Sequence, residues 1–372
     1  MHLVLFFTKN VSLTIWDSIG ILAREITIYK EMVNKGNTVS FITYGDKTDL
    51  KYASKLGGIN IYCNHIGLKS FIYEKSINFI HRKVISSADI IKTNQMFGAD
   101  VAVRSSKKFK KPLINRMGYI YSEFKANETS NNSEAYFESR RYEKEIINFA
   151  DHVVVTTSLM SDKICEQYTD AVDKISIIPN FVDTDIFKPK LSVDKDYDVI
   201  FIGRLEPQKN LKNLLDALSI LKLSVLIIGS GSQGKELKSK YNSLISSIDW
   251  KDNLPNHSLP NYLNRAKIFV LPSFYEGHPK VLIEAMAVGT PIVAANSPGI
   301  REIITHCQNG YLCATDKNGI QKAINDVLNN IQLQKKMSKN AVEYVRDNFS
   351  IEKILRLELD LIKKLNPTAI RF

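Results

Sequence analysis

Cysteine is scarce and never paired: Cys63, Cys165, Cys307 and Cys313 are the only four in 372 residues, and no two form a CxxC. That spacing excludes a disulfide framework and a zinc ribbon, and fits a reducing compartment. Long apolar runs are missing too. The opening HLVLFF is too short for a secretory h-region and is followed by Lys9, so it reads as a first strand. No stretch approaches the roughly 20 apolar residues of a membrane span. The expectation is a cytoplasmic chain. Neither a zinc-finger spacing nor an RNA-binding aromatic motif occurs, so no nucleic-acid partner is expected. Acidic residues are the minority, with 50 Lys+Arg against 39 Asp+Glu and a formal net charge of +11. Residues 1–186 hold 24 against 21 and residues 187–372 hold 26 against 18, so the excess lies mainly in the second half. A basic surface suits an anionic membrane face or a phosphorylated small ligand. The run SSKKFKKP, Ser105–Pro112, is a candidate peripheral contact with the inner face of a membrane, against the plainer reading of a solvated loop.

What is present is an alternation of strands and helices, run twice. HLVLFF, the helical ILAREITIYKEMVNKG closed by Gly36, and TVSFITY make a βαβ opening, and ADIIKTNQ, KPLINRM and DHVVVTTS read as later strands. The pattern restarts at YDVIFIGR and continues through helical LKNLLDALSILK, strands SVLIIG and KIFVLPS, a helix, and strand PIVAAN. This predicts an α/β chain of two doubly wound Rossmann-like domains facing across a cleft. The polar, proline-punctuated PNFVDTDIFKPKLSVDKDYD reads as the hinge. The expected domains are 1–186 and 195–350, with a last helix over about 351–372 returning to the first. In such sheets ligands sit outside the carboxyl ends of the strands.

Two stretches there bear on chemistry. IIGSGSQGKEL places Gly229, Gly231 and Gly234 as GxGxxG between a strand and a helix, with Asp249 where a ribose-binding acid would lie. A dinucleotide oxidoreductase would carry that fingerprint on the first strand of its unit, whereas this strand is the second. SFYEGHPKVLIEAMAVGTPIVA places Glu284 inside an apolar helix opened by Pro279 and ended by Gly289. A carboxylate among core residues is costly unless something occupies it. The plain alternative is an exposed glutamate on an amphipathic helix.

The run SFYEGHPKVLIEAMAVGTPIVAANSPGIREII with the turn NGYL resembles the signature of the retaining glycosyltransferase family four, whose B-type fold binds a nucleotide-sugar between two Rossmann-like domains. GRLEPQKN and IIPNFVDTDIF resemble two further segments of that family, and together the matches cover roughly 175–312. The resemblance implies a nucleotide-sugar donor, and a polysaccharide, glycolipid or other glycan acceptor in cell-surface polysaccharide synthesis. Arg204 and Lys209, with Gly203 on the same loop, match the family's diphosphate-binding pair. Glu276 matches the glutamate beside the donor sugar, and Glu284 the one that accepts from the ribose hydroxyls. Gly277, His278, Pro279 and Lys280 line the pocket in this correspondence, with Gly299 and Glu302 at another edge. In the first domain Gly20, in SIGILARE, matches the family's glycine loop. LINRMGYIYSE departs from it: Met117 and Gly118 stand where many members carry histidine, which leaves Arg116 and Gly118 without an assigned role. Fixed cations and helix amides can compensate a diphosphate's growing charge, so neither a cofactor nor a divalent metal is expected. The D-x-D pairs Asp183/Asp185 and Asp194/Asp196, with Asp198 behind them, then have no metal to hold. Competing readings are a same-fold phosphorylase, a sugar-nucleotide epimerase and a catalytically silent binding subunit.

Overall fold

The structure, a computed structural model, describes residues 1–130, 132–190, 193–245 and 247–366. It divides into two compact units: Met1–Pro179 with the described residues from Leu355 on, and Asn180–Ile354.

The first unit is built on a seven-stranded parallel sheet. Its strands are β1 (His2–Phe6), β2 (Thr38–Ile42), β3 (Asn60–Tyr62), β4 (Ile90–Thr93), β5 (Leu113–Met117), β6 (His152–Val155) and β7 (Ile175–Ile177), in the order β3-β2-β1-β4-β5-β6-β7. The connecting helices are α1 (Leu13–Ser18), α2 (Leu22–Asn34), α3 (Ser70–Ile80), α4 (Arg82–Ser86), α5 (Ala99–Phe109), α6 (Tyr121–Glu128), α7 (Glu134–Phe149) and α8 (Ser158–Gln167). Central strands covered on both faces need apolar residues at every position, and β1 and β6 are buried along nearly their whole length.

The second unit has a six-stranded parallel sheet of β8 (Tyr197–Ile202), β9 (Ser224–Ile228), β10 (Ser247–Lys251), β11 (Ala266–Leu271), β12 (Ile292–Ala295) and β13 (Tyr311–Cys313), ordered β10-β9-β8-β11-β12-β13. Helices α9 (Leu211–Leu218), α10 (Gly234–Tyr241), α11 (Leu259–Asn264), α12 (Lys280–Val288), α13 (Lys317–Leu328) and α14 (Ile331–Phe349) belong to it. The last helix, α15 (Ile351–Leu365), begins in the second unit and from Leu355 belongs to the first. There Glu358 Oε1 accepts from Lys92 Nζ of β4 at 2.5 Å, both side chains being buried.

Each sheet reverses its winding once, between β1 and β4 and between β8 and β11, the switch points at which such sheets bind ligands. The strands with no apolar run in the sequence, β3, β7, β10 and β13, are the four sheet edges. The lysine run is not wholly a loop: Ser105–Phe109 is the last part of α5, and Lys110, with φ 52°, turns the chain out of it through Lys111 and Pro112 toward β5.

Candidate functional site

At the second unit's switch point, β8 and β11 are direct neighbours, with Ile268 opposite Val199 and Phe269 opposite Ile200. The segments leaving their carboxyl ends, 203–210 and 272–279, are therefore brought side by side. Four contacts join them. The Phe274 amide donates to the Gln208 carbonyl at 3.0 Å, and Gln208 Nε2 donates to the Tyr275 carbonyl at 2.8 Å. Asn210, held at φ 55°, donates from Nδ2 to the carbonyls of Pro272 and Thr315. Lys209 Nζ lies 2.5 Å from Glu276 Oε1, the two side chains being 11% and 8% exposed. Two of the three residues matched to the catalytic centre thus meet as an almost buried ion pair. Arg204, the third, is exposed, and its Nη2 donates to Gln208 Oε1 at 3.3 Å.

Backbone packing fixes these loops. Gly299, at φ 79°, lies against the Glu276–Gly277 peptide so closely that a Cβ there would stand 2.3 Å from both carbonyl oxygens. The Glu276 amide donates to the Pro298 carbonyl and Ser297 Oγ to the Ser273 carbonyl. The GxGxxG has the same kind of explanation. A Cβ on Gly229 would lie 1.9 Å from the Gly203 carbonyl oxygen, and one on Gly231 2.5 Å from that of Leu205, so these glycines let the β9–α10 loop lie on the Gly203 loop. The Ser232 hydroxyl and amide donate to Glu206 and hold its carboxyl below the usual carboxylate range. Asp249 sits in β10 and accepts from the Tyr197 hydroxyl at 2.7 Å.

Glu284 lies in α12, whose first residue is Lys280 and whose end is set by Gly289 at φ 75°. It is 1% exposed, so the plain reading of an exposed glutamate is corrected. Asn256 Nδ2, from the turn after β10, donates to its Oε1 at 2.9 Å. The sequence reading gave no role to Gln208, Asn210 or Asn256. The one available signal was that each is an amide residue just past a strand's carboxyl end. His278 turns its ring into the interior, T-shaped against Phe349 at 4.9 Å, and its carbonyl accepts from Asn180 Nδ2 at 2.6 Å. Gly277 and Lys280 remain half-exposed, and Pro279 is buried at the opening of α12.

Gly20 belongs to the first unit and follows α1, not β1 directly, at φ 78°. Met117 is fully buried in that unit's core. Gly118, one residue on, donates its amide to Gln95 Oε1 at 2.9 Å. Asp183 Oδ1 accepts from the amides of Asp185 and Ile186, closing its own turn. Asp196 pairs with Arg265, and Asp198 with Lys267 at 2.8 Å.

Two parallel α/β sheets with these order reversals match the B-type glycosyltransferase fold, on which solved glycosyltransferase structures superpose over nearly the whole chain. The family model described as glycosyl transferases group 1 matches residues 182–344, and that described as glycosyltransferase family 4 matches residues 26–186. Between them they run from residue 26 to residue 344, and the chain belongs to the group 1, family four glycosyltransferases. An uncharacterized glycosyltransferase of Haemophilus influenzae is 26% identical over 94% of this chain and 97% of its own. The Escherichia coli UDP-Gal:alpha-D-GlcNAc-diphosphoundecaprenol alpha-1,3-galactosyltransferase is 28% identical over 54% of this chain and 58% of its own. The crystal structure of Anabaena HepE in complex with UDP and glucose superposes with a TM-score of 0.78 at 18% identity, over 98% of this chain and all of that one.

Proposed function

We propose that the chain is a retaining glycosyltransferase that moves a sugar from a nucleotide-sugar to a glycan or lipid-linked acceptor, working in the cytoplasm at the inner face of a membrane. The observation that carries the reading is the Lys209–Glu276 pair, 2.5 Å apart at the switch point. In this reading Arg204 and Lys209 face the donor diphosphate. Arg offers a forked donor and Lys a point charge, and both gain strength as negative charge collects on the leaving group. Glu276 and the Gly277–Lys280 opening of α12 face the sugar, where free helix amides and the absence of a Cβ at Gly277 allow close approach. Glu284 takes the ribose hydroxyls, a carboxylate being a two-oxygen acceptor suited to a vicinal diol. Gly20, in the first unit, keeps the donor-binding role that its match to the family's glycine loop implies. The UDP bound by HepE and the UDP-Gal named for the E. coli relative support a uridine nucleotide as the first donor to try. We also propose that no divalent metal takes part, since Asp183, Asp196 and Asp198 are already engaged in a turn and in ion pairs.

The test is transfer from labelled donors, preceded by thermal-shift screening against UDP-, GDP- and ADP-sugars, because a bound ligand raises apparent stability by mass action. The expected result is a shift with one nucleotide class and labelled product with an acceptor extract. A shift without transfer would favour the silent subunit, and dependence on free phosphate would favour the phosphorylase.

A further inference from the structure

The first unit presents an apolar surface that its own core does not use. Helix α3 buries Tyr73 and Ile77 and leaves Phe71 and Phe79 60% and 83% exposed, with Ile72 beside them. Phe71, Lys75 and Phe79 are spaced by four and share one helix face, and α4 continues it with exposed Arg82 and Lys83. The helices pack on α5, where Ser105 Oγ donates to Asn78 Oδ1 at 2.6 Å. That contact joins the aromatic face to the lysine run: Lys107 and Lys108 are exposed on α5, and Lys107 Nζ stands 3.0 Å from the centre of the exposed Phe149 ring.

Charge identifies the partner. Between Ile66 and Ser86 there are four cations and one carboxylate, Glu74, which Lys9 holds at 2.7 Å. Residues 104–111 add five cations and no acid; Arg104 is paired with Asp100 at 2.7 Å, which leaves the excess to the four lysines Lys107, Lys108, Lys110 and Lys111. Exposed phenylalanines interleaved with an excess of Lys over acidic residues match an anionic bilayer surface: the rings enter the acyl boundary while the long cationic stems keep their heads among the lipid phosphates. We propose that the face formed by α3, α4 and the end of α5 docks the protein on an anionic membrane, with Phe71 and Phe79 inserting. This moves the centre of the contact from the lysine run to α3. It deepens the membrane-face reading proposed above and rests on that reading only for the acceptor.

The test is sedimentation of the full chain with vesicles of phosphatidylcholine alone and of phosphatidylcholine with phosphatidylglycerol, at low and high salt. The wild type is expected to pellet with the mixed vesicles and less well as salt rises. The Phe71→Ser/Phe79→Ser variant is expected to bind them about tenfold or more weakly, with its melting temperature unchanged. Lys75→Gln/Arg82→Gln/Lys83→Gln should lose the preference for anionic lipid. Phe79→Trp gives an independent signal, since its emission should shift to the blue on adding mixed vesicles. The proposal is overturned if the serine variant sediments like the wild type, if the wild type ignores both vesicles, or if the substitutions abolish instead a dimer or an RNA complex. A thermal-shift screen with UDP-, GDP- and ADP-sugars on the same samples separates the two readings: vesicle binding with no shift from any of them supports the surface and counts against the transferase.

Discussion

Glu284 is a carboxylate that its own helix cannot solvate, and Asn256 supplies one of its hydrogen bonds from another loop. Gln at 284 keeps the size and gives up the charge that strengthens hydrogen bonds to a diol, so Glu284→Gln should weaken uridine-nucleotide binding by about 1–3 kcal/mol with the fold intact. Titration calorimetry checks this, and an unchanged affinity would leave the residue a structural role only. Arg204 and Lys209 call for a different measurement. Cations that meet a charge growing toward the transition state should matter more for turnover than for ground-state binding, so Ala at either is expected to lower kcat by a larger factor than it weakens donor affinity. Equal losses would make the pair a binding device. His81 is a residue whose effect follows pH. Its Nε2 meets the Tyr73 hydroxyl at 2.8 Å, that hydroxyl donates to the Thr43 carbonyl, and burial pushes the imidazole down to about 4, with His65 adding to the effect. Between pH 6.5 and 4 the unfolded chain therefore binds a proton that the native chain refuses. Stability falls as pH drops through that window, by up to roughly 3 kcal/mol from this one group. His81→Gln should flatten that part of a melting-temperature profile, and a slope identical to the wild type would count against it.

At the scale of elements, the helix α15 and the strand β4 share a buried charge pair, Lys92–Glu358. Burial pulls Lys92 below its ordinary range while Glu358 opposes the shift. Removing either partner leaves an uncompensated buried charge, so Glu358→Ala or Lys92→Ala is expected to cost about 3–5 kcal/mol, whereas Lys92→Met with Glu358→Leu should recover most of it. Denaturant unfolding of the two singles and the double checks the coupling; additive losses would show that the pair does not act as a unit. The elements also show what a sequence pattern carries. Nine strands announce themselves as apolar runs because helices cover both their faces. The edge strands NIY, ISI, SIDWK and YLC pair on one side only and are partly exposed, so they need no such run and leave no signal. Likewise SFIYEKSINFI reads as a helix, but which of its apolar residues serve the core is settled only by what packs on it: Tyr73 and Ile77 do, and Phe71 and Phe79 do not.

At the scale of the whole molecule, the proposed chemistry makes one demand that the sequence alone tempts one to deny. Two D-x-D pairs resemble metal ligands, yet Asp183 caps its own turn and Asp196 and Asp198 face Arg265 and Lys267. Sugar transfer is expected to survive excess EDTA, and Asp183→Asn to cost no more than a lost turn bond, about 1 kcal/mol of stability. Loss of transfer on chelation and its return with magnesium or manganese would require a new account of Arg204 and Lys209.

The sequence by itself determined the parallel α/β class, the double repetition of it and the segment in which the signature residues lie, because burial on both faces and helix punctuation are local constraints that leave a linear trace. The spacing of Glu276 and Glu284, the GRLEPQKN loop and the proline at the start of α12 are likewise legible in one dimension. Only the tertiary structure decided who meets whom. Lys209 and Glu276 are 67 residues apart and become a 2.5 Å pair because β8 and β11 are neighbours across an order reversal that no local pattern encodes. The glycines of IIGSGSQGKEL could have served a phosphate or a neighbouring backbone, and the answer came from the Gly203 carbonyl lying where a Cβ would be. Hydrogen-bond partners such as Asn256 stay silent in the sequence for the same reason: an amide acquires its role only when a distant strand end delivers a carboxylate to it.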